Sequence, residues 1–167
     1  EMDAGDILSQ RAIPIGEKDN CGMMFEKLSY LGRDLLLETI DKLIEGQIVP
    51  IKQDVSKVTF AYNVTKEEER LDFTKTAQEV YNHIRAYYPS PIAYTIFNGE
   101  ILKIYESRVL DDTHNKEIGT FFLKDKTRIC VACNNHTVLE LLVVQPSGKK
   151  VMKAKDFANG GFRKYLK

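Results

Sequence analysis

The spacing of apolar residues predicts a helix in the front part of the chain. From Asp19 to Glu45 apolar side chains recur every three or four residues, the period of one amphipathic helix or of two helices bent near Gly32. Before them, the segment Ile7–Ile15 is typical of a short strand that Pro14 closes. Because one strand and one helix cannot enclose a core, we expect this part to be the end of a larger domain.

After this helix the periodicity disappears. Residues 47–72 contain a proline and several charged clusters, a composition that predicts a linker. Thr74 or Thr76 then caps a second helix, and Pro89 and Pro91 end it.

Beyond Pro91 the apolar period shortens to about two, which indicates strands separated by turn residues. Asn98-Gly99, between the first two strands, is the signal of a type I′ hairpin. These short strands predict an α+β chain whose rear part is a five-stranded OB-like β-barrel, closed or half-closed. Such folds often bind nucleic acid, although a fold alone does not establish a function. The predicted strands are Ala93–Phe97, Ile101–Val109, Ile118–Leu123, Arg128–Ala132 and Val138–Val144.

The net charge is zero, but the charges are unevenly distributed. Residues 1–48 carry ten acidic and five basic side chains, whereas residues 145–167 carry seven basic side chains and one acidic. This asymmetry predicts a basic rear surface suited to a polyanion. A solvated lysine tail is the alternative interpretation of the same charges.

Cysteine use and hydropathy favour a cytoplasmic protein. The first residues lack the apolar segment of a signal peptide, and no run of about 18 apolar residues predicts a membrane span. The three cysteines are therefore expected to remain thiols. Cys130-Val131-Ala132-Cys133 is a single C-x-x-C pair in an apolar strand, which favours buried thiols over a zinc site, and we expect no metal.

Six stretches, in order, resemble motifs of methionyl-tRNA formyltransferases. No single stretch is specific, but their shared order and spacing are, and together they cover essentially the whole chain. They are Met2-Asp3-Ala4-Gly5-Asp6-Ile7-Leu8, Pro50-Ile51-Lys52-Gln53-Asp54, Lys66-Glu67-Glu68-Glu69-Arg70-Leu71-Asp72-Phe73, Ile84-Arg85-Ala86 with Pro89-Ser90-Pro91, Leu102-Lys103-Ile104, and Gln145 to Met152 followed by Asp156-Phe157 and Asn159-Gly160.

The resemblance implies an order of domains and an activity. Residues 1–48 would be the C-terminal end of the α/β formyltransferase domain, residues 49–68 the linker, and residues 69–167 the OB-like tRNA-binding domain. The implied reaction transfers a formyl group from 10-formyltetrahydrofolate to the amine of methionyl initiator tRNA. We expect a monomer.

The resemblance also implies roles for two residues of the front loop. Asp3 matches the family's catalytic Asp, which orients a His and relays a proton, and Gly5 would let the backbone turn closely beside the folate. The family's catalytic Asn and His lie upstream of this motif. None of His83, His114 and His136 matches them, and all three are expected at the surface. We therefore expect this chain to be a truncated portion that does not catalyse formyl transfer by itself.

Basic residues of the rear part are the predicted contacts to tRNA phosphates, which position an RNA without reading its bases. The predicted contacts are Arg85, Lys103, Lys149, Lys150 and Lys153, with Lys155, Arg163, Lys164 and Lys167 beyond them. Several tyrosines could stack on unpaired bases, but packing is the favoured interpretation for them: Tyr62, Tyr87, Tyr88, Tyr94 and Tyr105.

Two other functions remain open. The chain could be a stand-alone tRNA- or RNA-binding OB-like module without catalysis. It could also belong to a folate-dependent formyltransferase that acts on a sugar nucleotide or a purine precursor, although the linker and the Gln145–Met152 motif argue against the latter.

Overall fold

The computed structural model describes residues 3–160 and residue 162. The chain divides into two compact units, Glu1–Asn63 and Val64–Lys167, called here the front unit and the rear unit. The predicted basic residues Arg163, Lys164 and Lys167 lie outside the described residues.

The front unit is built around one long helix, α1, Cys21–Ile44. The Asn20 side chain caps it by accepting a 2.9 Å hydrogen bond from the amide of Met23. The helix runs through Gly32 without interruption, so the prediction of a single helix is confirmed and the alternative of two helices is wrong.

The segment before α1 is extended but forms hardly any sheet. Ile7 and Ile51 exchange backbone hydrogen bonds of 2.8 and 2.9 Å as an isolated antiparallel bridge, so the predicted strand Ile7–Ile15 is reduced to one paired residue. The same segment lies on α1, where the Ser9 hydroxyl is 2.7 Å from the Thr39 hydroxyl. Many apolar side chains of α1 remain exposed, including Phe25 at 73% and Ile44 at 80%.

The rear unit begins with an irregular segment and α2, Ala77–Ala86. Thr76 and Glu79 form a complete capping box at its start, which confirms Thr76 as the cap. Ala77, Val80 and Ile84 are buried on the face that joins the core of the unit. Of the helices formed by the described residues, none combines the length and apolarity needed to cross a bilayer.

All the strands predicted after Pro91 exist, and a sixth strand and a short helix follow them. Asn98 and Gly99 both have positive φ, 51° and 81°, as the predicted type I′ hairpin requires. The elements are β1 Tyr94–Phe97, β2 Glu100–Thr113, β3 Phe121–Lys124, β4 Arg128–Ala132, β5 Thr137–Pro146, β6 Met152–Lys153 and α3 Ala154–Gly160.

The strands form one antiparallel sheet in the order β1-β2-β5-β4-β3, and β6 pairs with β5 beside β4. Strands β1 and β3 are the two ends of this order, and no backbone pairing joins them among the described residues. The predicted mixture of helices and an antiparallel sheet is therefore confirmed, whereas the closed five-stranded barrel is not: the sheet has six strands and is open.

Aromatic rings connect the two ends of the sheet in place of hydrogen bonds. Phe97 at the end of β1 lies 4.9 Å, centroid to centroid, from Phe121 at the start of β3. Phe162, completely buried, stacks on Phe97 at 5.0 Å with an interplanar angle of 9°. Because the rings approach while the backbones do not pair, the sheet is curled around an apolar interior without completing a barrel.

Candidate functional site

The front loop that carries Asp3 is held by a glutamine from the far end of the front unit. The Gln53 side-chain amide donates to the carbonyl oxygens of Asp3, at 2.9 Å, and Gly5, at 2.6 Å. Asp3 has a φ of 61°, in the left-handed region, and its side chain is exposed. The second motif of the resemblance, Pro50–Asp54, therefore contacts the first, although nothing in the sequence alone brings them together.

Gly5 does not have a backbone conformation that requires glycine, contrary to the reason for which it was singled out. Its φ is not in the positive range, and a Cβ placed on it would meet no heavy atom within 4 Å. The residue of this loop with a left-handed backbone is Asp3 instead. That Gly5 lies beside folate stays a prediction.

The histidines differ in their surroundings, and one of them is not at the surface. His114 is 8% exposed, with Nε2 2.7 Å from the carbonyl of Cys133 and Nδ1 accepting from the amide of Lys116 at 3.1 Å. Because Nδ1 accepts, Nε2 is assigned as the donor to the Cys133 carbonyl. The prediction that His114 lies at the surface is therefore wrong. Its ring forms hydrogen bonds with the backbone of Cys133 and of Lys116, which gives it a structural role.

The outer face of the sheet carries a row of polar and aromatic side chains across three strands. Lys103 lies between Leu102 and Ile104, which both belong to the core, so alternation places Lys103 on the opposite face. Its direct neighbours across the sheet are Tyr94 on β1 and Gln145 on β5. We call Tyr94, Lys103 and Gln145 the outer row.

Side chains from other segments extend the outer row at both ends. At one end, the Lys66 ammonium lies 4.8 Å from the centroid of the Tyr94 ring, a cation–π contact. At the other end, Gln145 accepts from the Tyr105 hydroxyl at 2.9 Å and donates to the carbonyl of Lys149 at 3.0 Å. The row is therefore continuous with the turn after β5.

That turn, Pro146–Lys149, closes through a hydrogen bond from the Lys149 amide to the Pro146 carbonyl at 3.0 Å. Gly148 has a φ of 67°, which a residue with a side chain adopts only with strain. The turn exposes Lys149 and Lys150.

The predicted cationic residues do not all share one face. Lys153 pairs with Val143, whose neighbour Val144 is in the core, so Lys153 lies on the same face as Lys103, on the other side of β5. Arg85 lies instead in the last turn of α2, a helix that packs on the core side, and its Nε donates to Asn82 at 2.9 Å. The structure brings together Lys103, Lys149 and Lys153, with Lys150 beside them, and does not bring Arg85 into this group.

Two other cations of the outer face are neutralised. Glu140, 4% exposed, accepts from Arg108 at 2.5 Å and from Arg128 at 2.8 Å through both of its carboxylate oxygens. The hydrogen bonds from Arg128, and then those from Arg108, hold the pKa of the Glu140 carboxyl below its ordinary value. These arginines stabilise three adjacent strands, and they are not among the predicted phosphate contacts.

The cysteines are thiols, as predicted. Cys130 and Cys133 are buried, and desolvation raises their pKa to about 11 and about 12 respectively. Within the part of the chain that the structure describes, no group of three or more His, Cys, Asp or Glu side chains is placed to hold a metal ion.

Comparison with known proteins identifies the class to which this arrangement belongs. The C-terminal domain of formyl transferases matches residues 63–161, which is more than half of the chain. The chain therefore belongs to the formyltransferase family.

The relatives that it resembles are methionyl-tRNA formyltransferases, as the motifs predicted. The enzyme of Lactococcus lactis subsp. cremoris (strain MG1363) is 47% identical over 165 residues, 96% of this chain and 51% of the relative. That of Streptococcus thermophilus is 48% identical over 160 residues, 96% of this chain and 50% of the relative. The chain thus spans about half the length of these curated relatives.

Solved structures share the fold at lower identity. HypX from Aquifex aeolicus matches with a TM-score of 0.68 and 16% identity, over 99% of this chain and 30% of that one. The N-formyltransferase from Helicobacter canadensis, in complex with folinic acid and dTDP-3-aminofucose, matches with a TM-score of 0.61 and 22% identity, over 87% of this chain and 52% of that one. At these identities the likeness concerns the fold alone.

The sequence did not predict that Tyr94 and Gln145 belong to the outer row, or that Lys66 contacts Tyr94. A two-residue Asn98-Gly99 turn fixes the register that pairs Tyr94 with Lys103, so the position of Tyr94 could have been derived from the sequence. The Lys66 contact had no such signal, because it joins an irregular segment to a strand.

Proposed function

We propose that the chain is the tRNA-holding portion of a methionyl-tRNA formyltransferase, an enzyme that transfers a formyl group from 10-formyltetrahydrofolate to methionyl initiator tRNA. Residues 1–48 would end the formyltransferase domain, residues 49–68 would be the linker, and residues 69–167 would hold the tRNA. The proposal implies a monomer in the cytoplasm, where translation takes place.

The observation that carries the proposal is the outer row with its adjoining lysines. Lys103 and Lys153 lie on one face on either side of β5, and Gln145 connects this face to the turn of Lys149. Cations at the spacing of strands suit a phosphate backbone. Similarity to methionyl-tRNA formyltransferases supports tRNA as the polyanion.

In the front unit, the proposal gives Asp3 the role of orienting the catalytic His and relaying its proton. An exposed carboxylate on a loop that Gln53 fixes at two carbonyls is suited to meet a partner side chain. The folate would donate the formyl group. It would leave as tetrahydrofolate, with a free amine at the nitrogen that carried the group.

Titration of initiator tRNA into the 167-residue chain at several salt concentrations tests the RNA surface. Each phosphate contact contributes about 0.7–0.9 to the slope of log affinity against log salt. The triple variant Lys103→Gln, Lys149→Gln, Lys153→Gln should weaken binding and lower the slope by about two to three on that basis. A charge-matched control, Lys18→Gln, Lys75→Gln, Lys116→Gln, should keep most of the slope. Equal slopes for the two variants would contradict the proposed surface.

A hybrid tests catalysis. The remaining half of the Lactococcus lactis relative, joined in front of this chain, should formylate methionyl initiator tRNA. Asp3→Asn in the hybrid should lower kcat by about 100-fold or more, in the range expected for loss of an acid–base group. Asp6→Asn, in the same loop, is the matched control. A hybrid that is active and unaffected by Asp3→Asn would leave the RNA-binding function and remove the assigned role of Asp3.

A further inference from the structure

The rear unit contains a cavity of about 520 Å³ beside the proposed RNA surface. It lies between the β1–β2 hairpin, the turn after β5, and α3. This volume is within the range of small-molecule sites, about 300–1,000 Å³. Neither the proposed phosphate contacts nor formyl transfer requires it.

The lining of the cavity has two chemical parts. Leu102, Met152 and Phe157 form an apolar wall that belongs to the core side of the sheet. Glu100 and Asp156 add two carboxylates, which act as hydrogen-bond acceptors when ionised. Asn98, Ser147 and Lys149 complete the polar rim.

A nucleotide with an amine-bearing base matches this combination. A flat aromatic base would contact the apolar wall, while its exocyclic amine would donate to a carboxylate. Lys149 supplies the charge that a 5′-phosphate requires. Uracil has no exocyclic amine and can offer only its ring N3–H, so it would satisfy the two carboxylates less well than a base with an amine.

The cavity is connected to the outer row through one residue. Lys149 lines the cavity, and its carbonyl accepts the hydrogen bond from Gln145, the end of the outer row. An RNA phosphate bound by Lys149 would therefore lie next to the cavity, and the nucleotide attached to it would be the one to enter.

We propose that this cavity binds one unpaired, amine-bearing nucleotide of the RNA that lies on the outer row. The site rests on the proposed function for its ligand, and it adds a base-contacting pocket to a surface that otherwise contacts phosphates. It would favour RNA whose structure leaves a purine or cytosine unstacked at this position.

Nuclear magnetic resonance titration of the 167-residue chain with free nucleotides tests the pocket without tRNA. Guanosine and adenosine 5′-monophosphates should shift the amide signals of Asn98, Ser147 and Phe157, with apparent affinities at least fivefold above that of uridine 5′-monophosphate. The double variant Glu100→Gln, Asp156→Asn should reduce this difference, because amide oxygens are weaker acceptors than carboxylates. Glu117→Gln, a carboxylate outside the cavity, is the matched control and should retain it.

A second variant guards against unfolding as an explanation. Ser147→Trp places a large ring at the mouth of the cavity from an exposed turn, and it should abolish the nucleotide shifts while the urea unfolding midpoint stays close to that of the parent. Shifts that are equal for uridine monophosphate, that occur only at other residues, or that persist in Ser147→Trp would overturn the proposal. If tRNA binds with the expected salt slope but no nucleotide shifts the cavity amides, the proposed RNA surface is supported and the proposed nucleotide pocket is contradicted.

Discussion

The Gln53 side-chain amide donates to the Asp3 carbonyl at 2.9 Å and so ties the front loop to a segment 48 or more residues later in the chain. Gln53→Leu removes this bond and the one to Gly5. Hydrogen bonds of this kind are each worth about 1 kcal/mol. We expect faster amide hydrogen exchange in residues 4–7, measured by mass spectrometry.

Gln47→Leu is the control for that comparison, because the side-chain amide of Gln47 donates to its sequence neighbour Glu45 at 2.6 Å and not to the front loop. Its exchange pattern in residues 4–7 should match the parent. Equal protection of the loop in the parent and in Gln53→Leu would show that the backbone bridge of Ile7 and Ile51 fixes the loop without the glutamine.

The Glu140 network should contribute measurably to the free energy of unfolding. Glu140→Gln leaves Arg108 and Arg128 facing a neutral group, and we expect a loss of about 1–3 kcal/mol in urea unfolding. The loss should be below that of a fully buried pair, since the arginine side chains are 54% and 29% exposed. Glu117→Gln should be close to neutral, and a similar loss in that control would contradict a specific role of Glu140.

The same carboxylate should make the stability depend on pH in the acid range. Its folded-state pKa is lowered by Arg128 and Arg108, so the unfolded state binds its proton first. The contribution is complete above the unfolded pKa, about 4.3, and is lost as the pH falls through the lower folded value. Between pH 7 and pH 3 the free energy of unfolding should therefore fall less steeply for Glu140→Gln than for the parent. Parallel curves would show that Glu140 does not titrate differently in the two states.

Thiol reactivity should separate the three cysteines. Cys21 is partly exposed, whereas burial holds the pKa of Cys130 at about 11 and that of Cys133 at about 12. Because the thiolate is the reactive form, Ellman's reagent at pH 8 should titrate one thiol rapidly and the other two only in urea. Cys21→Ser should remove the rapid phase. Rapid reaction of a second thiol in that variant would contradict the burial of the pair.

The sequence predicted the local elements well because their signals are local. Thr76 with Glu79 three residues later is a complete capping box, and Asn98-Gly99 supplies the two positive φ angles of the hairpin turn. Tertiary contacts decided the rest. The open edge between β1 and β3 depends on how Phe97, Phe121 and Phe162 pack, and no periodicity in the sequence encodes that.

Some residues of the candidate site could likewise be predicted from the sequence, and others could not. Lys103, Lys149 and Lys153 could be proposed from composition, and the strand register then placed two of them on one face. Arg85 could not be excluded from that group by sequence, because its placement follows from which face of α2 enters the core. The Gln53 contact was equally hidden, since it joins two irregular segments.

The ring of Phe162 on Phe97 sets the order in which the rear unit can mature during synthesis. The β1–β2 hairpin leaves the ribosome long before Phe162 does, and until then the apolar side of Phe97 has no partner from that end of the chain. Contacts this distant in sequence form late and slowly. A growing chain that already carries the hairpin therefore exposes apolar surface until the end of the rear unit has been translated, and it should be a substrate for chaperones that act on nascent polypeptides.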